Sequence, residues 1–199
     1  MSKFMSEENI ARLLSLSAKK KVAFAVLLYE RMIPELRSFC IDESLDFSCF
    51  QTAREEFWRS LVDGDSSISW AQLREDIVNA TPDSEDFGSL AASFALSAAL
   101  VAADVAGFLA DGQDDHIVEA MGYAQDSLSA YVINEMGAVV YDRTIDDFVK
   151  VHPLVWKEKR AEEEDVAFLS TMQDAPWPAN IFSMLQRRAE TQRSLLDNP

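Results

Sequence analysis

The chain has 199 residues, 48% of them hydrophobic, which suits one domain with a sizeable core. Its 34 acidic against 18 basic residues give a net charge of −16, which repels phosphate backbones and anionic lipid and argues against nucleic-acid or membrane-surface binding. No basic stretch with a following apolar run and cleavage site opens the chain, so a cytoplasmic location is expected; Cys40 and Cys49 sit among apolar neighbours and read as free thiols.

The expected organisation is one all-helical domain over residues 1–199, with flexible ends at 1–5 and 196–199. Ser6 is positioned to cap a first short helix carrying Ile10, Leu13 and Leu14. Ser17 is positioned to cap a second, which runs through the apolar stretch Val22 to Tyr29 into Glu30, Arg31 and Met32. Pro34 either kinks that helix or opens a third over about 34–41. A helix over about 46–62 carries Phe47, Phe50, Phe57, Trp58 and Leu61, and a short one over about 68–79 ends before Pro82.

Residues 87–110 hold nine alanines and one charge, Asp104. Alanine favours helix over strand, so this segment is a long helix that other helices or lipid must enclose. Its length permits a membrane span, but alanine and serine give little drive for insertion and acidic residues flank both ends. The better reading is the central helix, about 85–110, of a compact bundle of seven to nine helices. Asp111-Gly112 stops it, and a helix over about 114–140 returns against it. Thr144 opens a short turn to His152, Pro153 starts a helix to about 173, and a last one spans about 179–195.

Helical phase separates ordinary charges from informative ones. Ser89, Ser93, Ser97, Asp104 and Asp111 form one polar stripe, which reads as a partly solvated seam. Glu135 falls in the middle of a face built from Ile117, Met121, Ala124, Leu128, Tyr131 and Val132. Glu158 and Asp165 share a face with Leu154, Ala161, Phe168 and Leu169, bordered by Glu162. Glu30 and Arg31 directly follow eight apolar residues. Burying a charge is costly unless it is paired, so Glu30, Arg31, Glu135, Glu158 and Asp165 form a candidate buried polar cluster.

Internal salt bridges, such as Arg31 with Glu135, are the simpler reading of that cluster. The alternative is a carboxylate metal site between helices using Glu135, Glu158 and Asp165. A di-iron site is short of ligands, because His116 and His152 are the only histidines and neither completes a Glu-x-x-His pair. His116-x-x-Glu119 runs the reverse way at a helix start, where exposure is expected. Glu162-x-x-Asp165 has half of the acidic pattern of all-α nucleotide pyrophosphatases, without the partner motif upstream. Asp63, Asp65 and Ser67 begin like a calcium loop, but Ile68 replaces its glycine. No glycine-rich phosphate loop, nucleotide fingerprint or nucleophile elbow is present.

Tyr29-Glu30-Arg31-Met32-Ile33-Pro34, Pro82 to Phe87 with the Ala-rich helix after it, Asn134-Glu135-Met136, and Pro153-Leu154-Val155 with Glu158 carry a resemblance. Over roughly residues 15–175 the chain resembles the YjaG-like bacterial proteins, domain of unknown function 416. The resemblance implies a single-domain helical cytoplasmic protein and carries no activity, cofactor or catalytic residue with it. The expected function is a non-enzymatic protein-interaction or structural module without a cofactor, acting on a second copy or another protein. The alternative is a metal-dependent hydrolase or metal binder using the buried carboxylates.

Overall fold

The computed structural model describes residues 5–63, 68–83, 87–135, 144–174, 176–178 and 180–193. Among them are nine α-helices and no strand: α1 (Glu7–Leu14), α2 (Ala18–Asp42), α3 (Ser48–Asp63), α4 (Trp70–Ala80), α5 (Leu90–Asp111), α6 (Asp114–Glu135), α7 (Thr144–Val151), α8 (Pro153–Thr171) and α9 (Asn180–Gln192). The expected tail of α6 towards residue 140, the loop at 64–67 and the two ends, 1–4 and 194–199, lie outside the described residues.

Local chemistry sets most of these boundaries. Ser6, Ser69 and Ser89 each accept a hydrogen bond from the backbone N–H three residues on, satisfying a donor that the first helical turn leaves free. Ser17 occupies the same position before α2, but its hydroxyl donates instead to Asp174 Oδ1 at 2.7 Å. Gly112 closes α5 at φ 72°, the left-handed conformation that suits glycine. Only Gly112 and Gln113 separate α5 from α6, so the two helices run antiparallel.

The core is built on α2 and α5. Val22 to Ile33 are buried without a break on α2, and Val101 to Phe108 on α5. A helix buried on every side needs neighbours on every side: α6, α2 and α4 pack on α5, and α3, α8 and α9 complete the enclosure of α2. α5 is long and apolar enough to cross a membrane, yet 67% of its most apolar stretch is buried against the rest of the chain. A smaller apolar cluster, Leu128, Val132, Val149 and Val155, joins the far end of α6 to α7 and α8.

Two expectations change. α2 continues through Pro34, so the helix expected over 34–41 is its last part. Proline removes one backbone bond there, and burial of Met32, Ile33, Leu36 and Phe39 around it holds the helix together. Asp104 is 4% exposed, so it belongs to the core and not to a solvated seam.

Candidate functional site

Three groups of side chains stand out from this framework. The first is centred on Arg31, which α2 carries into the middle of the bundle. Its Nε donates to Glu158 Oε1 at 2.8 Å, with Nη2 2.7 Å from the same oxygen, and its Nη1 donates to Asp165 Oδ2 at 2.8 Å. The other oxygen of Asp165 accepts from Arg188 Nε on α9. Glu158, Glu162 and Asp165 stand at spacings of four and three residues, one face of α8, and all three are buried. Gln125 on α6 donates to Glu162 Oε2 at 3.2 Å, while Oε1 of Glu162 has no hydrogen-bond partner.

The charges in this group balance. Burial works against the Arg31 guanidinium, but the charges of Glu158 and Asp165 and its hydrogen bonds to them outweigh that and hold it protonated. Burial, reinforced by the charge of Glu158, pushes Glu162 well above the usual carboxylate range. Arg31 and Arg188 face the carboxylates of Glu158 and Asp165. Such a group locks α2, α8 and α9 together, with each arginine held on a buried carboxylate.

Glu30 is buried beside Arg31 but points elsewhere. Its carboxylate takes both ends of the Arg54 guanidinium, at 2.6 and 2.9 Å, and Trp58 Nε1 donates to Oε1 at 2.6 Å. This second group ties α2 to α3. Glu135 joins neither, which corrects the expectation that it is buried. It is exposed, and its Oε1 accepts from Tyr131 Oη at 2.5 Å. The ring pair of Phe94 and Tyr131, 6.1 Å apart, sets the register of α5 against α6 and places Glu135 a turn beyond it, level with the first residue of α5. On the same face Leu128 and Val132 are buried with Val149 of α7 and Val155 of α8, and Glu135 lies beyond them. Of the five expected residues, the structure unites Arg31, Glu158 and Asp165 and separates Glu30 and Glu135 from them; phase arithmetic underrated Glu162, which is fully buried.

The second feature is a corner between α5 and α6. His116 Nδ1 lies 3.0 Å from Asp104 Oδ1, and its Nε2 lies 3.3 Å from Asp111 Oδ2. Burial lowers and the two carboxylates raise the imidazole's affinity for a proton, with a net rise. Burial also lifts Asp104, to about 6, against the lowering effect of His116. The ring lies flat on Gly107: a Cβ at that position would sit 2.6 Å from His116 Cε1. A cleft of about 490 Å³ opens beside it, lined by Arg74, Glu75, Gly107, Asp111 and His116 among others. Sequence reading expected His116 to be exposed; Gly107, among the small residues of α5, was the available sign of a side chain packing there.

The third feature is a run of exposed apolar side chains on α7 and α8, the helices that carry Val149 and Val155 of the smaller core. Phe148 and Val151 on α7 and Trp156 on α8 are 52%, 65% and 55% exposed. Lys150, Lys157, Lys159 and Arg160 lie near them in sequence, with Asp146 and Asp147 just before Phe148; Arg160 pairs with Glu164 at 2.7 Å, Lys157 donates to the Arg193 carbonyl, and Glu158 points inward to Arg31. Lys159 Nζ lies 5.2 Å from the Trp156 ring centre, close enough for a cation–π contact. Trp58, Trp70 and Trp177, for which the sequence favours a core place over an interface, all pack at least partly into the core. Trp156 was legible from phase alone, since two residues separate it from Glu158 by about 200° around the helix.

The fold and these features can be set beside known proteins. No curated protein matches the chain. A crystal structure of a DUF416 family protein from Shewanella baltica OS155 superimposes with a TM-score of 0.79 at 22% identity, covering 92% of this chain and 93% of that one. At that identity the likeness shows a shared fold. The family model for DUF416, described as a protein of unknown function, matches residues 8–193. The chain therefore belongs to the DUF416 family.

Proposed function

We propose that this protein acts without catalysis, by binding a second copy of itself through the face formed by Phe148, Val151 and Trp156. The observation that carries this reading is the exposure of three large apolar side chains within nine residues, at 52%, 65% and 55%. Clustered exposed aromatics mark contact surfaces, and tryptophan is the residue most often found at their energetic centre. Charge supports the same occupant. Lys150 and Lys159 flank these residues in a chain of net charge −16, so most of the remaining surface is acidic. Two copies of the basic face repel one another, whereas this face on one copy suits an acidic face on the next.

The metal-dependent hydrolase is the weaker reading. Arg31 and Arg188 already neutralise Glu158 and Asp165, and Glu135 shares no hydrogen bond with them. Sedimentation velocity over a concentration series tests the proposal. A mass that rises with concentration, and falls back as salt screens the lysines, is the expected result. A monomer at every concentration and salt level overturns it.

A further inference from the structure

We propose a second, separate property: Asp104, His116 and Glu119 form a binding site for one divalent transition-metal ion such as zinc or manganese, at the corner where α5 turns into α6. One ligand atom from each residue lies within 4.8 Å of the other two. Bonds of about 2.0–2.2 Å from one ion to nitrogen and oxygen ligands set neighbouring ligand atoms about 3.0–3.6 Å apart, from octahedral to tetrahedral geometry. His116 Nδ1 and Asp104 Oδ1 stand 3.0 Å apart already.

The second observation is independent of that clustering. Asp104 is 4% exposed, and its Oδ2 has no hydrogen-bond partner. An ionised carboxylate buried with one oxygen unsatisfied is costly, and a bound cation removes the cost. Asp111 supplies a supporting contact. Its Oδ2 faces His116 Nε2 at 3.3 Å and can accept a hydrogen bond from a proton held there. An ion that displaces the Nδ1 proton from between His116 and Asp104 would then find the ring oriented by Asp111, as in sites where a carboxylate orients a ligating histidine. The charge also fits: Asp104, Asp111 and Glu119 are three carboxylates, against Arg74 on the wall of the same cleft. One nitrogen among oxygen ligands favours a first-row transition ion over magnesium or calcium. Glu119 is exposed, so solvent reaches the site from its side.

Calorimetric titration of zinc chloride into the full chain tests the site, in about 0.15 M salt with excess magnesium to occupy the acidic surface. One ion per chain is expected, with a matching rise in melting temperature. Glu119 is exposed, so Glu119→Gln folds normally and should weaken zinc binding by about 10-fold or more. His116→Gln should abolish it, and Asp115→Asn, which alters exposed charge next to the site, should leave it unchanged. Absence of saturable binding overturns the proposal. So does equal loss in Glu119→Gln and Asp115→Asn, which indicates diffuse attraction to acidic surface, or full binding by folded His116→Gln, which places the ion elsewhere.

Discussion

Arg31 and Asp165, 134 residues apart in the chain, meet with Arg31 Nη1 2.8 Å from Asp165 Oδ2, both side chains almost without solvent contact. The pair, with Glu158 and Arg188, joins three helices distant in sequence through charges that cannot be exposed one at a time. Removing one partner of such a pair leaves the other buried alone. Arg31→Met should therefore destabilise the fold by about 3–5 kcal/mol, measured by denaturant unfolding. Arg31→Lys keeps the charge but loses the planar fork that reaches two carboxylates, and should cost about 1–3 kcal/mol.

Glu162 should give the protein an unusual pH response. Its folded-state pKa lies well above the ordinary value, raised first by burial and then by Glu158. Below the ordinary carboxylate range, folded and unfolded chains both hold the proton. Above it the unfolded chain releases the proton first, so this residue's contribution to stability falls as pH rises, until the folded acid ionises as well. Glu162→Gln mimics the protonated acid and can still accept from Gln125. Above about pH 5 the variant should gain on wild type with rising pH, by up to about 1.4 kcal/mol per pH unit until the folded acid ionises. Parallel stability curves for the two proteins would contradict this.

Gly107→Ala tests the packing at the α5–α6 corner. The added Cβ would meet the His116 ring at 2.6–2.9 Å, so the ring has to move. Overpacking of this kind costs about 1–3 kcal/mol, offset by about 1 kcal/mol from alanine's better helix propensity. A small net loss of stability is expected, together with a shift of the His116 ring signals in NMR. An unchanged ring environment would show that the close approach is absent.

Trp156→Glu should separate binding from folding. The residue is exposed, so stability should stay within about 0.5 kcal/mol of wild type. The added negative charge also opposes an acidic counterpart, so self-association should disappear. Phe148→Ser should weaken it less. If Trp156→Glu unfolds the chain, Trp156 is part of the core.

Much of the fold was legible because local chemistry decides it. The alanines of α5, the serine caps, Gly112 and Pro153 each act within a few residues of themselves. Glu30, Arg31, Glu158 and Asp165 were identifiable as buried because they interrupt apolar faces, and burial follows from phase. Their pairing was not legible: Arg54 and Trp58 hold Glu30 and Arg188 holds Asp165, choices made by helix packing. Glu135 shows the opposite limit. Phase aligns it with Leu128 and Val132, but phase carries no information on where burial along that face ends, and Glu135 is exposed. Asp104 differs for a related reason, since a stripe of three serines and two aspartates looks solvated until His116 folds over Gly107.

The most direct test of the proposed function is the indole N–H spectrum of the four tryptophans at increasing protein concentration. Trp58 serves as an internal reference, because it is buried and bonded to Glu30. If the Phe148–Val151–Trp156 face binds a second copy, the Trp156 signal shifts or broadens with concentration, recovers on adding salt, and leaves Trp58 in place. Four signals that stay fixed up to about 1 mM, beyond the range of a specific contact of this kind, would contradict it.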